Sequence, residues 1–268
     1  MAPPLFHRHW GASTSDSPSP SVVVIHGLFG SMENLGMITR LLKDDFSVYG
    51  VDLPNHGRSP QLSPSSLSAM ADSVFEWMDS VGLASAYFLG HSLGGKVVME
   101  LALRYPQRVK ALIVADIAPV AYPRRHDDMF EGFEAVDLKS LKSRGEADLA
   151  MKDFVGEAST RSFLLKNLEK TDAGWQWRIN LRGLKEDYEE YISANSVGFP
   201  PYQQPVLFIK GERSDYILPE YRETILDLFP SADVKIINDT EHWLHAEKPE
   251  LFTRIVKRFL AKVSSELS

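Results

Sequence analysis

The chain of 268 residues, 44% hydrophobic and 24% charged, has the length of one large domain or of one domain carrying an insertion. A net charge of −7 without any basic stripe argues against nucleic acid and anionic membrane surfaces as partners. The absence of cysteine excludes disulfides, thiolate metal sites and a cysteine nucleophile.

Met1 to Trp10 lacks the long apolar core of a secretory signal, and no apolar run approaches the ~20 residues of a membrane helix. With no cysteine to protect, the expectation is a cytoplasmic protein without a membrane span. Leu5 to Trp10 reads as an edge strand, and the Ser/Pro-rich stretch Ser13 to Ser21 as a surface loop. Val22 to Ile25 is a continuous β-branched run, the pattern of a strand buried on both faces. It ends in the glycine-punctuated loop His26 to Ser31, and a helix is predicted from about Met32 to Leu42. Phe46 to Val51 reads as a strand running into Asp52-Leu53-Pro54-Asn55-His56-Gly57-Arg58-Ser59. Leu67, Met70, Ala71, Val74, Phe75 and Met78 recur at helical steps, and Gly82 ends that helix.

Ala86 to Leu89 is apolar, and Lys96 to Leu103 is helix-like; between them stands Gly90-His91-Ser92-Leu93-Gly94, a G-x-S-x-G sequence. Strand, sharp turn and helix around such a serine make a nucleophile elbow. The turn holds Ser92 out above the sheet edge, and the flanking glycines leave it room. Ala111 to Ala115 is the next buried strand and closes at Asp116. Strand and helix alternate throughout this half, which predicts a parallel sheet with ligands at the carboxyl ends of its strands.

From about Tyr122 to Gly198 the sequence turns charged and helical, with no convincing strand. It reads as a helical cap at residues 121–198 inserted into a core of residues 1–120 and 199–268. Strands return at Val206 to Ile209 and at Val234 to Ile237. A final amphipathic helix presents Leu251, Phe252, Ile255, Val256, Phe259 and Leu260 on one face.

A serine hydroxyl needs a base at neutral pH. His242 follows the last strand, where the order serine, acid, histidine puts it. His245 is the rival and is expected to be structural; His91 is expected to be a scaffold residue beside the nucleophile. Two aspartates satisfy the chain order for the acid, Asp116 and Asp215. The oxyanion needs two N–H donors. Leu93 supplies one and Leu28 the other, with Phe29 second choice. Phe29, His91, Phe154, Phe163, Trp175, Trp177 and Trp243 are candidates to line an apolar substrate pocket, and Lys96 is expected as an exposed helix residue.

These stretches, with Asp116-Ile117-Ala118-Pro119-Val120 and His242-Trp243-Leu244-His245-Ala246-Glu247-Lys248-Pro249, resemble the α/β-hydrolase superfamily over nearly the whole chain. More narrowly they resemble the YbfF-type bacterial esterases and their mitochondrial abhydrolase relatives. The resemblance implies a mostly parallel eight-stranded sheet flanked by helices, with the helical cap inserted. It implies a serine esterase acting on small acyl esters or acyl-CoA thioesters, without metal or organic cofactor, as a monomer or homodimer. In that group the triad acid follows the strand formed here by Ala111 to Ala115, which favours Asp116. The wider superfamily more often uses the later loop, where Asp215 stands. Glu241 departs from the pattern, since a glycine commonly precedes the catalytic histidine; it either raises the pKa of His242 or points to solvent. Cofactor-free haloperoxidases and C–C bond hydrolases share such triads, and a non-catalytic ligand receptor on a hydrolase scaffold is the reading from another class.

Overall fold

Val22 to Ile25 are all fully buried, and alternate residues face opposite ways. Val23 and Ile25 pack into one core, Val22 and Val24 into a second on the other face of the sheet. A strand covered on both faces needs apolar residues at every position, which is why this run reads as continuous. In the computed structural model, which describes residues 4–11 and 20–266, the core alternates as the sequence predicts. Its elements are β1 (His7–Trp10), β2 (Ser21–Ile25), α1 (Gly36–Leu42), β3 (Ser47–Val51), α2 (Leu67–Ser80), β4 (Ala86–His91), α3 (Leu93–Arg104) and β5 (Val109–Ala115). The loop expected at Ser13 to Ser21 lies largely outside the described residues.

An insertion follows β5. It holds α4 (Asp127–Glu134), α5 (Arg144–Met151), α6 (Ala158–Leu164), β6 (Leu168–Thr171), β7 (Gly174–Trp177), α7 (Leu181–Glu186) and α8 (Tyr188–Ile192). The core resumes with β8 (Val206–Gly211), α9 (Arg222–Leu228), β9 (Ala232–Ile237), α10 (Leu244–Glu247) and α11 (Pro249–Glu266).

The main sheet runs β1-β3-β2-β4-β5-β8-β9. Every pairing in it is parallel except that of β1 with β3. Seven strands replace the expected eight, because among the described residues β1 alone lies upstream of β2. The insertion is not wholly helical: β6 and β7 pair as an antiparallel hairpin. Its signal was the period-two spacing of Trp175 and Trp177, with Gln176 turned outward to Glu169. Gly174, at φ +120°, makes the turn.

The cores close around named helices. α2 begins at Ser66, whose hydroxyl accepts the Ala69 N–H at 3.2 Å, and ends before Gly82 at φ +69°. Phe252, Val256 and Leu260 bury one face of α11 against the second core, with Leu251, Ile255 and Phe259 on its flanks. Among the described residues no helix is long and apolar enough to cross a membrane.

One consequence of this packing is steric. A Cβ at Gly94 would stand inside contact distance of the Ile25 and His26 carbonyls, which belong to backbone and cannot swing away. Gly94→Ala is therefore expected to lower the melting temperature by about 5 °C or more, by the usual cost of overpacking. Calorimetry checks this; an unchanged melting temperature would remove the steric account.

Candidate active site

Six loops leave the carboxyl edge of the sheet side by side, because neighbouring parallel strands all end there. After β4 the chain turns at Ser92, held at φ +53° and ψ −120°. That conformation is strained for a residue with a side chain, and the surroundings hold it in place. The Ser92 N–H donates to the Ala115 carbonyl of the adjacent strand at 3.0 Å, and the Lys96 N–H closes the first turn of α3 on the Ser92 carbonyl at 3.1 Å. Leu93 opens α3, so its N–H has no intrahelical acceptor.

The loop after β2 passes directly over Ser92. A Cβ on Gly27 would lie 3.1 Å from the Ser92 Cβ. The Gly30 N–H donates to the Gly27 carbonyl at 3.0 Å, and Leu28 sits within that turn. Phe29, at φ +59°, turns its ring into Phe130 and Phe133 of the insertion. Beneath this loop, the His26 ring donates from Nδ1 to the Gly27 carbonyl at 2.8 Å and accepts the Leu53 N–H at Nε2 at 3.1 Å. One nitrogen donates and the other accepts, so the ring is neutral. Asp52 bonds the N–H groups of Met32 and Arg58 at 2.7 and 2.9 Å, tying the loops after β2 and β3 together.

Asp116 ends β5 at φ +52° and is wholly buried. One carboxylate oxygen accepts the Gly211 N–H at 3.0 Å. The other accepts the Ser214 hydroxyl and His242 Nδ1, the latter at 2.8 Å. His242 Nε2 lies 3.0 Å from the Ser92 Oγ. The imidazole is held on its faces as well as its edges: Tyr216 stacks on it at 3.9 Å and 19°, and His91 tilts against it at 4.8 Å. His91 also donates from Nε2 to the His242 carbonyl at 2.9 Å, the scaffold part expected of it.

Asp215 is not in this arrangement. It is exposed and paired with Arg125 at 2.8 Å. Glu241 is exposed, with its N–H bonded to the Glu247 carboxylate at 3.1 Å. His245 is buried against His91 and Phe252, and its Nδ1 has no hydrogen-bond partner among the described residues. Lys96 reverses its expectation. It is 1% exposed, and its ammonium donates to the carbonyls of Val120 at 2.8 Å and Ser193 at 2.6 Å. The two stems of the insertion lie on α3 and cover a face that would otherwise meet water. Burial brings Lys96 down to about 7, opposed by the nearby Glu100 carboxylate.

Of the pocket candidates, Phe29, His91, Phe163 and Trp243 line a cavity of about 220 Å³ at Ser92 and His242. Phe154, Trp175 and Trp177 do not. Phe154 is 41% exposed, Trp177 packs edge-on against Phe133, and the Lys170 ammonium covers Trp175. Ser214, Tyr216, His126 and Tyr188 reach the site without any local sequence signal, since they arrive through the β8 loop and the insertion. Among the described residues no group of His, Asp and Glu side chains could hold a metal ion.

A family model described as alpha/beta hydrolase fold matches residues 20–249. The chain belongs to the α/β-hydrolases. Esterase YbfF of Escherichia coli is 36% identical over 250 residues, 93% of this chain and 96% of the relative. The sn-1-specific diacylglycerol lipase ABHD11 of Mus musculus is 34% identical over 258 residues, 92% of this chain and 82% of the relative. A solved structure of a marine microorganism esterase superposes with a TM-score of 0.91 at 34% identity, covering 96% of this chain and 99% of that one. This α/β-hydrolase is of the esterase/lipase type.

The same α/β-hydrolase surrounds its site with buried, uncharged imidazoles. Desolvation lowers His26 and His126 to about 4 and His56 and His245 to about 3, and holds His91 well below 6.5. All five folded-state values lie below the ordinary one, so the unfolded chain takes up protons first as the pH falls. Stability is therefore full above about 6.5 and is lost from there toward about 4, by up to about 1.4 kcal/mol per pH unit for each histidine. Urea unfolding between pH 7 and 5 measures this. A constant midpoint would show that these rings are not neutral in the fold.

Proposed function

We propose that the protein is a serine carboxylesterase that cleaves small or medium acyl esters through an acyl-enzyme, with thioesters open to the same steps. The unbroken run of hydrogen bonds from Ser92 Oγ to His242 Nε2 and from Nδ1 to Asp116 carries this reading. His242 Nε2 takes the Ser92 proton as the oxygen attacks the acyl carbonyl. Asp116 accepts the Nδ1 proton's hydrogen bond, fixes the tautomer and stabilises the imidazolium that forms. The N–H groups of Leu28 and Leu93 receive the oxyanion. His242 then protonates the leaving alcohol or thiol, and water repeats the sequence on the acyl-enzyme.

Stacking of Tyr216 on His242 supports the same assignment, because it fixes the plane of the imidazole between Ser92 and Asp116. In this reading residues 121–198 act as a cap over the core. Asp215 holds Arg125 and takes no part in proton transfer.

Hydrolysis of p-nitrophenyl acetate tests the roles. Ser92→Ala is expected to lower kcat by about 10⁴-fold or more, and Asp116→Asn by about 10²- to 10⁴-fold. Asp215→Asn should stay within about threefold of wild type. Turnover that survives Ser92→Ala would end the serine esterase reading, and a collapse confined to Asp215→Asn would move the acid to that loop.

A further inference from the structure

Ser92 stands between two unequal spaces. The smaller, inner one lies on the α3 side and measures about 30 Å³; Lys96, Ile117, Tyr122, Arg125, Tyr188 and Ile192 are among its walls, and Leu28, His126 and Tyr216 line both spaces. At roughly 10–15 Å³ for each water-sized group, it holds two or three heavy atoms. The outer cavity of about 220 Å³ is lined by Met129, Thr160, Phe163 and Trp243. It shares Gly27, His91, Phe163 and Trp243 with a groove of about 310 Å³ that runs on to Asn34 and Lys166.

The inner walls are pinned. The Tyr122 hydroxyl donates to the Tyr216 carbonyl at 2.5 Å and accepts the Ala118 N–H at 2.8 Å. Tyr188 bonds His126 Nδ1 at 2.5 Å. Lys96 holds Val120 and Ser193, on the two stems that bring these residues over α3. Widening the inner space means breaking these hydrogen bonds, which are buried or partly buried, so its size limits what enters.

Proton delivery decides which half of the substrate lies where. The leaving atom must come within hydrogen-bond reach of His242 Nε2, the group that protonates it. His242 lines the outer cavity and is absent from the inner walls. Resting on the esterase reading, we propose that the enzyme takes esters of short acyl groups, of about two or three carbons, on long or bulky alcohols. The acyl group occupies the inner space. The alcohol lies along the outer cavity and its groove, and water for deacylation arrives by the outer path once the alcohol has left.

Hexyl acetate and ethyl hexanoate separate the two orientations. They are isomers with the same atoms and differ only in which side of the ester carries the chain. The expected result is a kcat/KM at least tenfold higher for hexyl acetate. Ile192→Ala, which opens the inner space, should reduce that preference at least threefold. Met129→Trp, which fills the outer cavity, should raise KM for hexyl acetate more than for ethyl acetate. Equal or better turnover of ethyl hexanoate, still dependent on Ser92, would overturn the orientation and leave the esterase intact. If neither ester is hydrolysed faster than by Ser92→Ala, the esterase reading falls and the orientation with it.

Discussion

A carboxylate with no exposure to water must find its hydrogen-bond donors inside the protein, and at Asp116 that requirement organises the site. Its donors come from the end of β8, from the loop after β8 and from the loop after β9: Gly211 N–H, Ser214 hydroxyl and His242 Nδ1. Two segments far from Asp116 in sequence, residues 211–214 and His242, are thereby held to the end of β5. The imidazole orientation is one result of that satisfaction. Tyr216 follows Ser214 closely in the chain, so the loop that anchors Asp116 also lays the ring that stacks on His242.

The histidines around Ser92 divide by environment. His26 and His56 are buried under the loops after β2 and β3 and bonded to nearby backbone, so they shape those loops as neutral rings. His91 is neutral too and steadies His242 through its carbonyl. His242 differs in keeping about a fifth of its side chain open and in having a carboxylate at one nitrogen and a serine at the other. His91, His126 and His245, the imidazoles that His242 acts on, are uncharged, and its own charged hydrogen-bond partner is the Asp116 carboxylate.

The helix behind Ser92 also carries the insertion. Lys96 and Glu100 stand one turn apart on α3 and are both buried. Lys96 bonds a carbonyl on each stem of the insertion, and Glu100 accepts the Asn195 amide and the Ser196 N–H at 3.1 and 3.0 Å. Each charge is surrounded by partners, as burial demands. The element that positions Ser92 and the element that anchors the insertion are thus the same helix.

Much of this was legible in the residues themselves. The strand at Val22 to Ile25, the turn at Ser92 and the loop at His26 all carry local signals, because backbone strain, glycine and burial on both faces restrict residue choice within a few positions. The choice between Asp116 and Asp215 did not have such a signal. Both end a strand-loop in the right order, and only the packing of β5 beside β8 brings one of them to His242 while the other turns outward to Arg125. Lys96 looked like a surface lysine because nothing near it in sequence announces the stems that bury it. Trp175 and Trp177 looked like pocket residues because an aromatic side chain is drawn to any apolar surroundings, and the hairpin supplies those within the insertion. The sequence by itself determined the fold and the strained turn at Ser92, through restrictions that act over a few residues. Tertiary structure decided the contacts of the two aspartates, the burial of Lys96 and the unequal spaces beside Ser92, because each depends on which distant segments meet at the sheet edge.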